Sequence, residues 1–302
     1  MKDSRNQTRK SIITCVILLC IVSVIVFAFL FYKKHFRPTA VTLENEELVA
    51  ASIRDAMIRR SYRVRISFSS NASDPDMYPL LEELLLKVYA DDSDPRGGDY
   101  LRFQCGGCKV STTTRDHYLT KEYEIGILPD YYTNVTQEEY VDRKVAEIIA
   151  SFNLTEDASD YEKVCLVNRY ICDNVEYDTV HKHTPGSKHI QSTAYGALAY
   201  RTALCQGYAV LTYRLLRELG VDNRIVTGEV CLTDTPERHA WNIVAIDGVY
   251  YHLDVTLNDV NGDLSCFLKS ADGMEIEHLP DEEYRTDEFV VRYPVAQEDY
   301  LN

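Results

Sequence analysis

Positive charge is what this chain lacks once its first 37 residues are passed. The full sequence carries 32 Lys and Arg against 47 Asp and Glu, a net charge of −15. Seven of the basic residues and one of the acidic ones fall in 1–37, so the remainder holds 25 basic and 46 acidic side chains, net −21. A body that acidic repels polyanions, which excludes nucleic acid and polybasic attachment to anionic lipid.

Charge of either sign is missing from Ile12 to Tyr32, a run of 21 residues. At about 1.5 Å per residue such a helix reaches across the hydrocarbon core of a bilayer. A small-x-small cleavage site is missing too, because bulky Phe29, Leu30, Phe31 and Tyr32 occupy the end of the run. That argues against a removed signal peptide and for an uncleaved, single-pass anchor over residues 12–32. Lys2, Arg5, Arg9 and Lys10 precede the run and Lys33, Lys34 and Arg37 follow it, so the positive-inside rule barely discriminates. A short tail ahead of a large acidic body favours the body outside the cell.

Paired metal-ligand motifs are also lacking. Cys105-Gly106-Gly107-Cys108 has no second matching pair, and it lacks the strand-then-helix setting of a redox motif. His181, His183 and His189 are interleaved with Lys182 and Lys188 and have no acidic residue in the run, which opposes a cation. No metal and no cofactor is expected. Of nine cysteines, Cys15 and Cys20 lie in the apolar run. Setting Cys205 aside leaves Cys105, Cys108, Cys165, Cys172, Cys231 and Cys266, compatible with bridges outside the cell or with small core thiols.

What is present divides the chain into residues 1–37 (tail and anchor), 38–131 (a stalk helix and a small α+β region) and 132–302 (the domain that holds the candidate chemistry). Leu48, Val49, Ile53, Ala56, Met57 and Arg60 recur at helical spacing. Tyr62, Val64, Ile66 and Phe68 alternate as in a half-buried strand, and Pro79 opens a helix. Strands are expected at Tyr100–Gln104 and Lys109–Thr114, joined by a Gly-Gly hairpin turn, and again at Tyr118–Leu128. Thr136-x-x-Glu139 and Ser159-x-x-Glu162 read as capping boxes of two helices.

The chemistry concentrates between Leu204 and Asp259. Tyr208, Leu211, Leu215 and Leu219 form the buried stripe of a helix that Gly220 ends, so Cys205 sits at its N-terminus. Free backbone N–H groups and the positive end of the helix dipole favour a thiolate there, and they can also receive the oxyanion of a tetrahedral intermediate. Asp247-Gly248 between two alternating runs is a strong hairpin signal. A two-residue loop pairs Ile246 with Val249, Val244 with Tyr251 and Asn242 with Leu253, then Trp241 with Asp254 and His239 with Thr256. One face then carries Ala240, Asn242, Val244, Ile246, Val249, Tyr251, Leu253 and Val255. The other carries His239, Trp241, Tyr250, His252 and Asp254, with His239 and Asp254 as diagonal neighbours within side-chain reach. Cys, His and Asp are the types needed for a nucleophile, a general base and a group that orients the base. His252 shares that face and is a rival base. Zinc held by Cys205, His239 and Asp254 lacks a clustered ligand pair.

Cys205-Gln206-Gly207-Tyr208-Ala209, His239-Ala240-Trp241-Asn242 and Leu253-Asp254-Val255-Thr256 resemble the three signature blocks of the transglutaminase-like superfamily. Asn174–Asp178, Ser192–Tyr195 and Phe267–Ser270 resemble the surroundings of those blocks in its bacterial membrane-anchored or secreted members. The resemblance covers about residues 135–290. It implies a papain-like α+β fold, with the Cys205 helix packed on an antiparallel sheet, and nucleophile, base and orienting roles for Cys205, His239 and Asp254. Gln206, Tyr195 and Trp241 are candidates for substrate or oxyanion contact. The chain departs from the family at Ala203-Leu204, where Gly and a small aliphatic residue are common, and at Arg238, where Gly is frequent. The expected activity is thiol-dependent acyl transfer or hydrolysis at amide bonds of a protein or peptide, cell-wall peptide included. A cysteine peptidase or amidase, and a non-catalytic surface scaffold of the same fold, are the alternatives.

Overall fold

A computed structural model describes residues 39–42, 46–70, 77–116, 121–181, 188–231, 235–275 and 278–301. The apolar run at 12–32 lies outside them, and among the described residues no helix is long and apolar enough to cross a membrane. The chain forms two compact units. One comprises the described residues up to 75 together with 109–129, and the other 76–108 with 130–301. The helix around Pro79 and the Tyr100 region therefore belong with the larger unit.

Strands β1 (Thr39–Thr42), β2 (Val64–Ser70), β3 (Cys105–Asp116) and β4 (Lys121–Tyr131) form a sheet in the order β1-β2-β4-β3. Helix α1 (Glu46–Ile58) buries Val49, Ala50, Ile53, Ala56 and Met57, the expected stripe without Leu48, which faces solvent. The strand expected at Tyr100–Gln104 is instead a short helix. After α2 (Met77–Val88), α3 spans Gly98–Phe103, and Gly98 opens it at φ 53°, a value glycine adopts without strain. Burial explains the difference: Asp99, Tyr100 and Leu101 are all inside. Cys105 and Cys108 consequently lie at the start of β3 rather than across a hairpin. The Cys105 thiol donates to Gly107 O at 3.2 Å, and Cys108 and Tyr89 are its polar neighbours. Every described cysteine is a free thiol.

The larger unit is mainly helical ahead of its four-stranded sheet, with one short strand pair between helices. Helix α4 (Val135–Ser151) is capped by Asn134 and Gln137, not by Thr136 and Glu139. Asn134 Oδ1 accepts from the Gln137 N–H at 3.0 Å and Gln137 Oε1 accepts from the Asn134 N–H at 2.9 Å. Helix α5 (Asp160–Asn174) has the expected Ser159–Glu162 box. After β5 (Glu176–Tyr177), α6 (Ala194–Tyr200) and β6 (Thr202–Ala203) comes α7 (Cys205–Glu218). Helix α7 is buried nearly all round, from Gly207 to Leu216. It lies between the helices and a sheet ordered β10-β7-β8-β9, built of β7 (Asn223–Val230), β8 (Glu237–Ile246), β9 (Val249–Leu253) and β10 (His278–Pro280).

The β8–β9 hairpin has the expected register, Ile246 opposite Val249 through Asn242 opposite Leu253. Asp247 and Gly248 turn it with φ of 52° and 82°, the paired left-handed values of a two-residue turn. The ladder stops at Leu253, because Asp254 caps a helix, α8 (Val255–Asn261), whose Leu257 N–H it binds at 3.1 Å. Thr256 is therefore helical rather than opposite His239. The second face of the sheet is not a polar one. Trp241, Ile243 and Tyr250 pack there with Val226, Cys266, Met274, Tyr284 and Tyr293 in a second apolar core. The chain after α8 folds back to supply that cover, so both faces of the hairpin are dry.

Candidate active site

Three elements converge at one end of α7. Leu204, its N-cap, offers no side-chain acceptor, and the first backbone bond into the helix runs from Tyr208 N–H to Leu204 O at 3.1 Å. The N–H groups of Cys205, Gln206 and Gly207 precede that bond, so the positive end of the dipole is left without a competing side-chain oxygen. Strand β8 carries His239 beside this end. Asn242 ties the strand to the helix by donating to Ala209 O at 3.1 Å. Asp254 follows from the end of β9.

The three side chains meet in sequence. His239 Nε2 is 2.6 Å from Asp254 Oδ2, both groups buried. That contact engages Nε2 and leaves Nδ1 as the ring nitrogen available to the Cys205 thiol, and the charges of His239 and Cys205 stabilise each other. The Ala240 backbone N–H also favours the thiolate.

The electrostatics follow from this order. Burial by itself pushes the Cys205 thiol up, but hydrogen bonding and charge from His239, with the Ala240 N–H, bring it below its ordinary value. Burial pulls His239 down, yet the Asp254 charge and hydrogen bond, with Cys205, push it up to about 10. Asp254 is raised by burial and lowered further by His239 and His278, ending well below the usual carboxylate range. All three shifts favour the charged forms, thiolate, imidazolium and carboxylate.

Residues 150–255 match a family model described as the transglutaminase-like superfamily. They form a transglutaminase-like domain. Its fold is a mixed α+β core with the cysteine helix against an antiparallel sheet. Among solved structures the chain is similar to a TGase at 16% identity, covering 72% of this chain and 59% of that one, TM-score 0.34. It is similar to a "putative cysteine protease" from Cytophaga hutchinsonii at 17% identity, 50% and 65% coverage, TM-score 0.32. A third is a "putative protease" from Parabacteroides distasonis ATCC 8503 at 12% identity, 64% and 40% coverage, TM-score 0.26. The chain thus spans 40–65% of the length of these structures. No curated protein matches the sequence.

The other residues singled out in the transglutaminase-like domain have different placements. Gln206 turns its side-chain amide away to donate to Phe103 O at 2.6 Å, which leaves the backbone, not the side chain, for an oxyanion. Trp241 is 1% exposed and cannot touch a substrate. Its ring stacks on His239 (centroids 6.1 Å, 19° between planes), and its Nε1–H donates to His252 Nδ1 at 2.9 Å. Tyr195 packs edge-on against Tyr140 and Tyr200, at 5.4 and 5.9 Å, in a different part of the helical layer. His252 spends its Nδ1 on Trp241, and burial with His278 nearby depresses it to about 4, so it is neutral where His239 is charged.

Two further residues lie near the site without a motif that marks a role for them in the sequence. Burial, and after it the charges of Cys205, Glu237 and Asp254, push the Tyr177 phenol up. Its place in the Asn174–Asp178 block was the available signal. His278 Nε2 lies 2.9 Å from the same Asp254 oxygen that binds His239. It falls beyond the matched segment, and no spacing links it to the other two. Atoms of His239, Asp254 and His278 lie within 4.8 Å of one another and have ligand chemistry. Both Nε2 atoms, however, sit at hydrogen-bond distance from Oδ2, which satisfies that oxygen by N–H donation. Arg238, the departure from the family's usual glycine, makes a two-pronged pair with Asp281 at 2.6 Å for each bond.

Proposed function

We propose that this protein is a thiol-dependent acyl-transfer or hydrolytic enzyme acting on amide bonds of a protein or peptide. The observation that carries the reading is His239 lying between Cys205 at an uncapped helix end and a buried Asp254 carboxylate. The Cys205 thiolate adds to the amide carbonyl carbon, and the N–H groups at the start of α7 receive the oxyanion. His239 Nδ1–H gives its proton to the amide nitrogen as the C–N bond breaks, leaving a thioester on Cys205 and neutral imidazole. Water or an amine then loses a proton to Nδ1 and attacks the thioester. Collapse releases the acid or the new amide and restores the ion pair. Asp254 stays ionised throughout and holds the ring in line.

The acidic composition and the uncharged run at 12–32 support a second part of the proposal. The enzyme is anchored by that run with its body outside the cell, where cell-wall peptides are substrates of the right class. Iodoacetamide labelling of the purified chain tests the chemistry. Cys205 reacts faster than an ordinary thiol at pH 6.5, and His239→Ala removes the advantage. Equal rates in both proteins would end the proposal. External protease on intact cells should cleave the body, and full protection would overturn the orientation.

A further inference from the structure

A buried carboxylate is costly unless its lone pairs are satisfied, and Asp254 is satisfied from three directions. Oδ1 accepts from the Leu257 N–H in α8 at 3.1 Å. Oδ2 lies 2.6 Å from His239 Nε2 in β8 and 2.9 Å from His278 Nε2 in β10. His278 is 3% exposed, and its ring meets Trp241 edge-on at 4.9 Å, the same indole that stacks on His239. One indole thus packs against both histidines while one oxygen accepts from both.

The surrounding chain is built to bring β10 to this point. Gly228 in β7 lies opposite both His239 and Pro280, and a Cβ there would stand 2.1 Å from Leu279 O. Only a glycine lets β10 approach so closely. Asp281, just past the strand, donates its backbone N–H to Thr227 O at 2.9 Å and accepts from Thr227 Oγ1 at 2.6 Å. It also takes the Arg238 pair, which joins the end of β10 to the residue preceding His239.

We propose that His278 is a positioning residue of the thiol site, donating its Nε2–H to Asp254 Oδ2 so that the carboxylate is fixed in line with His239. This rests on the acyl-transfer reading above. With that donor gone, the carboxylate is held on Oδ2 by His239 alone and can turn about its remaining bond to Leu257. The His239 ring then loses its fixed direction toward Cys205, and misplacement of that order slows reaction without weakening ground-state binding.

Two variants of the full chain separate positioning from packing. His278→Phe keeps a ring against Trp241 and removes the donor. His278→Gln keeps an N–H at the ε position. The probe is 4-nitrophenyl acetate, read as acylation of Cys205 with Cys205→Ser as the blank. We expect acylation about tenfold or more slower in H278F, with half-saturation within twofold, and largely restored in H278Q. The His239 Nε2–H proton resonance should shift in H278F and stay close to wild type in H278Q. If Cys205-dependent acylation is present in wild type but both variants behave alike, the role of His278 is refuted while the parent reading stands. If wild type matches the Cys205→Ser blank, the parent reading fails. Stoichiometric metal in the purified chain, with acylation lost on chelation, would also overturn the role by making the three residues ligands.

Discussion

Replacing Asp254 by Asn separates what its charge does from what its shape does. The residue caps α8 through Oδ1 and binds two histidines through Oδ2. Asn is as good an N-cap as Asp, so the helix start survives in Asp254→Asn. The negative charge that keeps His239 protonated does not survive. After burial, that charge is the largest influence on His239, and without it burial pulls the imidazole down. The thiol then loses its cationic partner and rises. The related substitution in a serine-protease triad costs about 10⁴ in turnover, and a fall of roughly 10²–10⁴ in Cys205 reactivity is expected at pH 6.5. Asp254→Ala removes the cap as well, worth about 1 kcal/mol, and orphans two buried N–H groups. Its total cost to stability should reach about 3–5 kcal/mol, well above that of the Asn variant. Iodoacetamide kinetics and urea melts on the two variants and wild type measure both quantities. The reasoning is refuted if D254N labels as fast as wild type, or if D254A and D254N unfold at the same urea concentration.

Other expectations concern the frame. Asp99 accepts from Arg224 at 2.7 and 2.8 Å and from the Ile225 N–H at 2.8 Å, so Asp99→Ala should cost about 3–5 kcal/mol in urea, and a loss under 1 would contradict that pairing. His252 is depressed to about 4 in the fold, below about 6.5 when unfolded, so its contribution is complete above pH 6.5 and disappears as pH falls through 4. Protonation at Nδ1 also breaks the bond from Trp241. The span corresponds to about 3 kcal/mol, and His252→Phe should flatten the melting temperature across that window. His239 adds no slope there, being protonated in both states below 6.5. Gly228→Ala must push β10 outward, costing about 2 kcal/mol and speeding hydrogen exchange over 278–281, and unchanged exchange would argue against the tight approach.

Much of the site was legible because two local rules reach far along the chain. A hairpin turn fixes register, so Asp247-Gly248 alone set which residues of β8 and β9 oppose each other. A buried helical stripe fixed Cys205 at a helix end. Both rules stop where the chain changes element. Alternation carries the ladder past Leu253 because nothing in it reveals that Asp254 turns to cap a helix. The Tyr100 region alternates like a strand, yet Asp99 draws it inward as a helix toward Arg224. The second apolar face and His278 were hidden for one reason. Both depend on the chain after α8 returning to the sheet, a tertiary event that no local pattern encodes.

The most direct measurement is mass spectrometry of the intact chain and its Cys205 fragment after incubation with glutamine-containing peptides and cell-wall peptide fragments. The account predicts a thioester on Cys205 with the mass of the acyl donor less its leaving amine, absent from Cys205→Ser and greatly reduced in His239→Ala. An adduct confined to other cysteines, or one formed equally well without His239, would contradict it.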